Sequence, residues 1–323
     1  MKNNTLLVLG EPDVSQTAML EKLRPEAAVF VGNSARAFGQ AVADADVLFN
    51  WSGSPALFRE IFLRCPSLRW VASRSAGLDK SLFQELTEGS VVLTNGSGVF
   101  SASLGEFALA AILYFAKDFR RMIRNQMAGI WEAFDVLPVA GYTVGIVGYG
   151  DIGRAVAART RALGMKVLAL RRNVSPEGQG DTLVNEVFGP GRRIEMLARC
   201  DYVVAAAPLT AETNGMIGEA EFAAVKPTAV VINVGRGPVI DEAALVKALA
   251  EGRIKGAALD VFDEEPLPGG HPFYKMENVL LSPHCTDHTP EWQNDAMRFF
   301  IAQYERFRKG EPLLNVVDKK LGY

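Results

Sequence analysis

Two residue types in the second half of the chain suit the reduction of a carbonyl group that lies beside a carboxylate. Arg236 stands between two glycines, and its permanent charge and planar fork match a carboxylate and a neighbouring carbonyl oxygen together. A histidine is the natural proton donor near neutral pH, and the sequence offers His284 and, four residues later, His288. A carboxylate hydrogen-bonded to the second ring nitrogen would orient the imidazole. This set predicts a site that holds a small acid and exchanges a proton with it.

Each of these residues also has a purely structural interpretation. Arg236 could cap the strand predicted over 230–234, and a lone histidine is more often a hydrogen-bonded core residue. The glycines on either side of Arg236 favour a binding role, because they let other groups come close to its side chain.

A glycine-rich loop lies upstream of these residues, directly after an apolar run at 143–147. Gly148 suits the tight turn after a buried strand, Gly150 a close approach to a pyrophosphate, and Gly153 the packing of the next helix. The N–H groups at the start of that helix would hold the phosphates. An ordinary glycine turn is the alternative, but the strand before the loop and the amphipathic helix after it favour a nucleotide loop. The residues predicted to bind the dinucleotide are Gly148, Tyr149, Gly150, Asp151, Ile152 and Gly153.

Two arginines follow the second predicted strand of this unit, at 165–170. An NAD-selective fold has an acidic residue near this point, about 20 residues past the glycines, to bond the ribose 2′-hydroxyl. Arg171 stands there instead, and Arg172 adds a second positive charge beside it. A guanidinium can clamp a 2′-phosphate, whereas a carboxylate would repel it. The pair therefore favours NADP(H) over NAD(H), the alternative being two solvated arginines at a strand end.

Length and composition exclude several classes of protein. The chain has 323 residues, enough for two domains with separate cores, and 49% hydrophobic with 22% charged residues is ordinary globular composition. A net charge of −3 argues against nucleic acid or an anionic membrane surface as the main partner. The apolar runs are too short for a membrane span or a signal-peptide core, and three scattered cysteines form no metal-ligand pattern. We expect a reduced cytoplasmic protein without a metal site.

The distribution of apolar segments predicts two α/β units. Short buried strands separated by helical or turn segments indicate a parallel sheet in the first hundred residues. The predicted strands there cover 6–9, 28–31, 47–49, 70–73 and 91–93. A single helix is predicted over 101–124 and a final helix over 290–308. Further strands are predicted near Val144, Val167, Tyr202, Val230, Gly256 and Val279.

The predicted fold is therefore α/β, with two doubly wound parallel-sheet domains. A Rossmann NAD(P)-binding domain over 103–286 would be inserted into a flavodoxin-like substrate domain made of 1–102 and 287–323. The final helix would return the chain to the first domain and make that domain discontinuous.

Five short motifs stand in a fixed order along the chain. They lie at 148–153, 208–210, 233–237, 260–266 and 283–284. In this order and spacing the chain resembles the D-isomer-specific 2-hydroxyacid dehydrogenase family over nearly its whole length. Within that family it is most similar to the NADPH-dependent glyoxylate/hydroxypyruvate reductases, through its two adjacent arginines, Trp51 and the segment 75–79. The resemblance implies reduction of a small 2-keto acid to the D-2-hydroxy acid by a homodimer.

The resemblance also implies a role for individual residues. By this match Arg236 binds the keto acid, Glu265 orients the histidine, and His284 rather than His288 is the general acid/base. The further residues matched to the cofactor site are Pro208, Thr213, Val234 and Asp260. The residues matched to the substrate site are Trp51, Ala76, Gly77, Arg236 and His284.

Several alternatives stay open at the level of sequence. The same chemistry could serve a bulkier 2-keto acid or a phosphorylated hydroxy acid, and the same fold could serve a nucleotide-sensing interaction protein of the corepressor type. Cys285 follows His284 where the family more often has a small residue, and we interpret it as a bystander. Trp51 could either close the substrate pocket or pack the smaller domain.

Overall fold

A computed structural model describes residues 4–79, 81–174 and 181–323. The chain divides into two compact units, one made of Met1–Val99 with Pro290–Tyr323 and the other of Phe100–Thr289. The two crossings between these units lie a few residues outside the predicted boundaries at 102/103 and 286/287.

The first unit contains a parallel sheet. Its strands are β1 (Asn4–Leu9), β2 (Ala27–Gly32), β3 (Ala45–Asn50), β4 (Trp70–Ser73) and β5 (Val92–Thr94). The strand order is β2-β1-β3-β4-β5, which is the flavodoxin-like arrangement, and all neighbouring strands are parallel. Every residue of β1 after its first is buried, as expected for a parallel strand that is covered on both faces.

The second unit contains a larger parallel sheet. Its strands are β6 (Thr143–Val147), β7 (Lys166–Leu170), β8 (Glu186–Phe188), β9 (Tyr202–Ala205), β10 (Val230–Asn233), β11 (Gly256–Leu259) and β12 (Val279–Leu281). Their order is β12-β11-β10-β9-β6-β7-β8, so the order reverses between β6 and β9, as in a Rossmann fold. The edge strand β8 is missing from the sequence prediction, because its only apolar residues are Val187 and Phe188, which give too short a pattern.

Helices cover the strands of both units. The α-helices are α1 (Ser15–Ala18), α2 (Pro55–Leu63), α3 (Gln84–Glu88), α4 (Ser101–Lys117), α5 (Phe119–Ala128), α6 (Asp151–Ala162), α7 (Arg193–Leu197), α8 (Glu219–Ala224), α9 (Glu242–Ala250) and α10 (Trp292–Lys309). Segments of 3₁₀ helix lie at Met19–Leu23, Ala35–Asp44, Pro190–Arg192, Gly237–Val239 and Pro272–Lys275.

The single helix predicted over 101–124 is wrong, since this segment folds as α4 and α5 with a break at Asp118. Asp118 has a left-handed φ of 51°, and its carboxylate accepts a hydrogen bond from the Arg121 N–H at 3.3 Å where α5 begins. Apolar residues continue across the break, whereas a cap depends on one side chain and leaves no periodic signal.

Aromatic rings attach α10 to the first sheet. Phe300 stacks on Phe49 with 3.7 Å between ring centroids, and its ring lies 5.5 Å from that of Trp70. The Trp70 indole N–H donates to Thr94 Oγ1 at 2.9 Å, so the polar atom of this buried ring is paired. These contacts fix α10 over β3 and β4.

Two kinds of feature are absent from the parts of the chain that the structure describes. No helix there combines the length and apolarity that a bilayer crossing needs. Within the same residues, no group of three or more His, Cys, Asp or Glu side chains could hold a metal ion.

Candidate active site and family

The loop at 148–153 joins β6 to α6. Gly148 has a φ of +95°, and a Cβ at this position would lie 2.5 Å from the main chain of Ala207. A Cβ at Gly153 would lie 2.4 Å from the Gly148 carbonyl oxygen, so the protein itself requires both glycines. A Cβ at Gly150 would meet no described atom within 4 Å. The space beside Gly150, at the amino end of α6, therefore fits the phosphates of a dinucleotide.

Tyr149 and Arg154 share one carboxylate, that of Asp181. The Tyr149 hydroxyl donates to Oδ2 at 2.9 Å, and Arg154 Nη1 lies 2.6 Å from the same oxygen. Burial alone would raise the pKa of Asp181, but the Leu183 N–H, the Tyr149 hydroxyl and the Arg154 charge outweigh it and lower that pKa. Asp181 is thus an ionised anchor for the loop. The sequence analysis missed it, because it lies outside every motif and meets the loop only in the fold.

The two arginines that follow β7 differ in their surroundings. Arg172 pairs with Glu212 at 2.5 Å. The main-chain N–H of Arg171 donates to the Phe188 carbonyl oxygen at 3.0 Å and ties the end of β7 to β8. Both side chains are half-buried. Because Arg172 already has a carboxylate partner, Arg171 is the stronger candidate for a 2′-phosphate.

The loop that follows β9 is closed by its own hydroxyl groups. Thr213 Oγ1 donates to the Pro208 carbonyl oxygen at 2.6 Å and accepts from the Thr210 N–H at 2.8 Å. Val234, after β10, is buried, and its N–H donates to the Ala205 carbonyl oxygen at 3.0 Å. Thr213 therefore shapes the turn, and contacts of Pro208, Thr213 and Val234 with a cofactor stay predictions.

Arg236 follows β10 on a main chain that Asn233 holds at two points. Asn233 Nδ2 donates to the Arg236 carbonyl oxygen at 3.0 Å, and Asn233 Oδ1 accepts from the Gly235 N–H at 3.1 Å. Nη1 of Arg236 donates to the Gly235 carbonyl oxygen at 2.8 Å, and the side chain is half-buried. The arginine is therefore fixed at the carboxyl end of the sheet, where ligands of doubly wound folds bind.

His284 and Glu265 are in direct contact. Nδ1 of His284 lies 2.7 Å from Oε2 of Glu265, and Oε1 of Glu265 accepts from the Phe262 N–H at 3.0 Å. The carboxylate is thus anchored through one oxygen and orients the imidazole through the other. Because Nδ1 faces Glu265, Nε2 is the ring nitrogen left to exchange a proton with a substrate. The His284 side chain is 42% exposed, so a ligand can reach the ring.

Asp260 holds the main chain next to His284. This aspartate is 1% exposed, and its Oδ1 accepts from the N–H groups of Cys285 and Thr286 at 3.1 and 3.3 Å. The Thr286 hydroxyl donates to Oδ2 at 2.6 Å. His284 has a left-handed φ of 52°, which is unusual for a residue with a side chain. The three hydrogen bonds to Asp260 fix Cys285 and Thr286, the two residues that follow His284. The sequence analysis did not predict this structural role for Asp260.

The other two histidines have different partners. His271 Nδ1 accepts from the Phe273 N–H at 3.3 Å, and its Nε2 lies 3.2 Å from the Glu242 carboxylate, so this side chain caps a 3₁₀ segment. Nε2 of His288 lies 3.6 Å from Asp287. Of the three histidines, His284 is the one that contacts Glu265, and this geometry favours it over His288 as the acid.

Trp51, Ala76 and Gly77 belong to the carboxyl end of the first sheet, after β3 and β4. Trp51 is 5% exposed and packs edge to face on Phe49 with 5.8 Å between ring centroids. The Ala76 carbonyl oxygen accepts from Asn95 Nδ2 at 2.7 Å, while Ala76 and Gly77 themselves are half-buried. The burial of Trp51 favours its packing role, whereas the loop that carries Ala76 and Gly77 is fixed and reachable.

The chain is similar to a family of known proteins. Residues 109–286 match the family model described as D-isomer specific 2-hydroxyacid dehydrogenase, NAD binding domain. The chain is 34% identical to a glyoxylate reductase of Korarchaeum cryptofilum and 35% identical to one of Thermococcus gammatolerans. Each of these similarities covers 87% of this chain and 85% of the relative.

Solved structures with a similar fold match along the whole chain. A D-isomer specific 2-hydroxyacid dehydrogenase from Xanthobacter autotrophicus, in complex with NADPH and MES, matches with a TM-score of 0.84 and 30% identity over 100% of both chains. An NADPH-dependent glyoxylate/hydroxypyruvate reductase from Sinorhizobium meliloti, in complex with NADP and sulfate, matches with a TM-score of 0.84 and 27% identity, also over 100% of both chains. The resemblance seen in the sequence is confirmed, and the chain belongs to the D-isomer-specific 2-hydroxyacid dehydrogenase family of nicotinamide-dependent oxidoreductases.

Proposed function

We propose that this enzyme reduces a small 2-keto acid, of the glyoxylate or hydroxypyruvate kind, to the D-2-hydroxy acid with NADPH as the reductant. The observation that carries the proposal is the 2.7 Å contact between His284 and Glu265, on the sheet edge that also holds Arg236. The relatives named glyoxylate reductase support the substrate class. The structural neighbour named as an NADPH-dependent glyoxylate/hydroxypyruvate reductase supports both substrate and cofactor.

Each residue of the site would contribute one step. The fork of Arg236 would bind the substrate carboxylate together with the 2-keto oxygen and polarise the carbonyl. Nε2 of His284 would donate a proton to that oxygen while Glu265 holds the ring. Main-chain N–H groups at Ala76 and Gly77 would meet the carboxylate. The bound nicotinamide supplies the hydride. In the reverse direction neutral His284 would accept the proton.

The first experiment follows the loss of reduced cofactor with purified enzyme, supplied with NADPH or NADH and with glyoxylate, hydroxypyruvate, pyruvate or phenylpyruvate. We expect turnover of the two small acids with a preference for NADPH. Turnover restricted to phenylpyruvate would keep the chemistry and refute the proposed substrate. Cofactor binding without turnover of any acid would instead favour a nucleotide sensor.

The preference for NADP(H) would rest mainly on Arg171, which can form paired hydrogen bonds to a 2′-phosphate. Arg171→Asp should shift the ratio of kcat/KM values from NADPH toward NADH, since an acidic residue suits the free 2′-hydroxyl. Arg172→Asp is the matched control, because Arg172 is already paired with Glu212 and should affect the ratio less. An unchanged ratio in Arg171→Asp would refute this part of the proposal.

We assign the dinucleotide to residues 103–286 and the substrate loop to the domain made of 1–102 and 287–323.

We also propose that the enzyme works as a homodimer through an apolar arm formed by residues 119–137. Large apolar side chains are unusually exposed there, and such patches mark interaction sites. They are Phe119, Met122, Ile123, Met127, Ile130, Trp131, Val136 and Leu137. The Trp131 side chain is fully exposed and Met127 is 85% exposed.

Light scattering after size-exclusion chromatography tests the dimer. The parent should run at twice the mass of one chain, and Trp131→Glu should shift it toward the single-chain mass because a charge would be buried at the contact. Ile194→Glu is the control, since Ile194 is exposed outside the arm. A parent that runs as a single chain would refute the dimer.

A further inference from the structure

Arg154 lies in the first turn of α6, directly after the glycine loop, and its charge faces a carboxylate from a later part of the chain. Its Nη1 lies 2.6 Å from Oδ2 of Asp181, and its Cζ lies 5.8 Å from the centre of the Tyr149 ring. The Arg154 side chain is 55% exposed, whereas that of Asp181 is 12% exposed. The carboxylate is thus enclosed, while the guanidinium that pairs with it can be reached from solvent.

The candidate residue for a 2′-phosphate, Arg171, stands beside this ion pair. β6 and β7 are parallel neighbours, and the Gly148 N–H donates to the Leu170 carbonyl oxygen at 3.1 Å where the two strands end. Tyr149 and Arg171 are the next residues along the two segments. Burial raises the pKa of the Tyr149 hydroxyl, and the charges of Arg154 and Arg171 act in the opposite direction. Both arginines therefore lie close enough to this hydroxyl for their charges to act on it.

The ion pair engages only part of the Arg154 guanidinium. Within the described parts of the chain, this group donates to Asp181 through Nη1. A guanidinium has five N–H donors in one plane, so Nε and Nη2 are left for a second anion. Oδ2 of Asp181 also accepts from the Tyr149 hydroxyl at 2.9 Å, and Oδ1 accepts from the Leu183 N–H at 3.0 Å. Asp181 is therefore fixed by three donors, and it holds Arg154 at one corner.

The charge on a 2′-phosphate calls for more than one cation. A phosphate monoester carries a charge of about −1.5 to −2 at pH 7, so a single guanidinium does not neutralise it. Arg172, the other arginine after β7, is paired with Glu212. Arg154 supplies a second positive charge near Arg171, on a side chain that Asp181 already positions. The ribose 2′-hydroxyl of NAD(H) is uncharged and gains little from this cation.

We propose that Arg154 is a second specificity-determining residue, which binds the 2′-phosphate of NADP(H) together with Arg171. This inference rests on the proposed function, in which NADP(H) is the preferred cofactor. Asp181 has two opposing effects on it, since its hydrogen bond positions Arg154 while its negative charge repels the phosphate. The strength of the preference is then set by the balance between two arginines and one carboxylate.

Fluorescence titration of the cofactor-free full chain with NADPH and with NADH measures the two dissociation constants without requiring turnover. Arg154→Gln should weaken the binding of NADPH about 5- to 30-fold, because a charge-assisted hydrogen bond to the phosphate is lost. The binding of NADH should change by less than about twofold. Asp181→Asn should strengthen NADPH relative to NADH about two- to fivefold, since the repulsive charge is removed while the amide oxygen still accepts from Tyr149.

Two further variants separate recognition from packing. Arg159→Gln is the matched control, since Arg159 lies on the same helix and pairs with Glu106 at 3.0 Å, but in the last turn of α6. It should leave the ratio of the two dissociation constants unchanged. Arg154→Lys keeps the charge without the planar fork, and its ratio should fall between those of the parent and Arg154→Gln. Thermal unfolding of the cofactor-free variants checks that each one folds.

A purely structural role of the ion pair predicts a different pattern. Arg154→Gln and Asp181→Asn would then weaken both cofactors to a similar extent and leave the ratio of the two constants unchanged. Any result other than opposite shifts of this ratio in the two variants refutes the proposal. These outcomes are distinct from those that test the proposed function. Opposite shifts would support Arg154 even in a protein that turns over no 2-keto acid, and an unchanged ratio would refute its role while turnover of glyoxylate persists.

Discussion

The two sheets hold the charged side chains at their carboxyl ends in different ways. At the seven-stranded sheet, hydrogen bonds do so: His284 contacts Glu265, Arg172 pairs with Glu212, and Asp260 accepts three bonds from the chain after His284. At the five-stranded sheet, two aromatic rings lie against Arg74. The first arrangement gives each polar atom a directional partner, whereas the contacts of the second are with apolar ring faces.

The arrangement at the seven-stranded sheet matches the chemistry that we propose for its edge. A proton transfer needs one ring nitrogen held in one place. The hydrogen bond between His284 Nδ1 and Glu265 occupies Nδ1 and leaves Nε2 for the transfer. Substitutions at this edge should therefore lower turnover or stability.

The largest effect is expected at His284. His284→Asn should lower kcat by about 10²- to 10⁴-fold, the usual contribution of a general acid, with little change in cofactor affinity. Steady-state kinetics and fluorescence titration of NADPH measure the two quantities. His288→Asn is the matched control and should keep kcat within about fivefold of the parent, as a substitution near the site but outside it. Equal losses in the two variants would remove the distinction between the histidines.

The glycine loop gives a second pair of variants, with a smaller effect. Gly148→Ala places a Cβ 2.5 Å from the Ala207 main chain at a positive φ, and should cost about 3 kcal/mol of unfolding free energy. Gly150→Ala meets no described atom within 4 Å and should leave the thermal unfolding of the cofactor-free protein unchanged. It should instead weaken NADPH binding, because the methyl group would occupy the proposed phosphate space. Equal unfolding temperatures for both variants would contradict this division.

Asp260 tests whether hydrogen bonds to the main chain support turnover. Asp260→Asn removes acceptor capacity from the three bonds to Cys285 and Thr286, and should lower kcat about 5- to 50-fold through misplacement of His284. The exposed Asp263, converted to Asn, is the control. A rise in the KM for NADPH with kcat preserved would assign Asp260 to the cofactor instead, as the family resemblance implies.

The parts of the fold that depend on short-range patterns were accessible from the sequence. Gly148 and Gly153 stand at a spacing that only a tight strand–turn–helix connection requires, and the buried strands are continuous apolar runs. The break at Asp118 was not accessible, because a single left-handed residue interrupts an apolar pattern that continues on both sides. The edge strand β8 was not accessible either, because its two apolar residues give too short a pattern.

The site shows a similar limit. Arg236, Glu265 and His284 lie in motifs, so the resemblance could name them, whereas Asp181 and Trp292 lie in none. Asp181 acquires its role by meeting the Tyr149 hydroxyl, and Trp292 by lying over Arg74. Both contacts join residues that are distant in the sequence, and a single sequence carries no signal for such pairs.

The smallest effect concerns the reactivity of the three thiols. Cys285 is exposed near His284, whereas Cys65 and Cys200 are buried in the cores of the two units. Burial raises the pKa of Cys65 to about 11 and that of Cys200 to about 12, so both thiols stay protonated and unreactive at neutral pH. A raised pKa means that thiolate appears only as pH approaches that value, so a change from pH 7 to pH 9 should not recruit either residue. A thiol reagent such as 5,5′-dithiobis(2-nitrobenzoate) should modify the exposed Cys285 in the native enzyme and all three cysteines after unfolding. Cys285→Ser should abolish modification of the native enzyme by the thiol reagent, since the buried thiols would remain inaccessible. Rapid modification of more than one cysteine in the native state would show that a core opens, and would weaken the contrast between edge and interior.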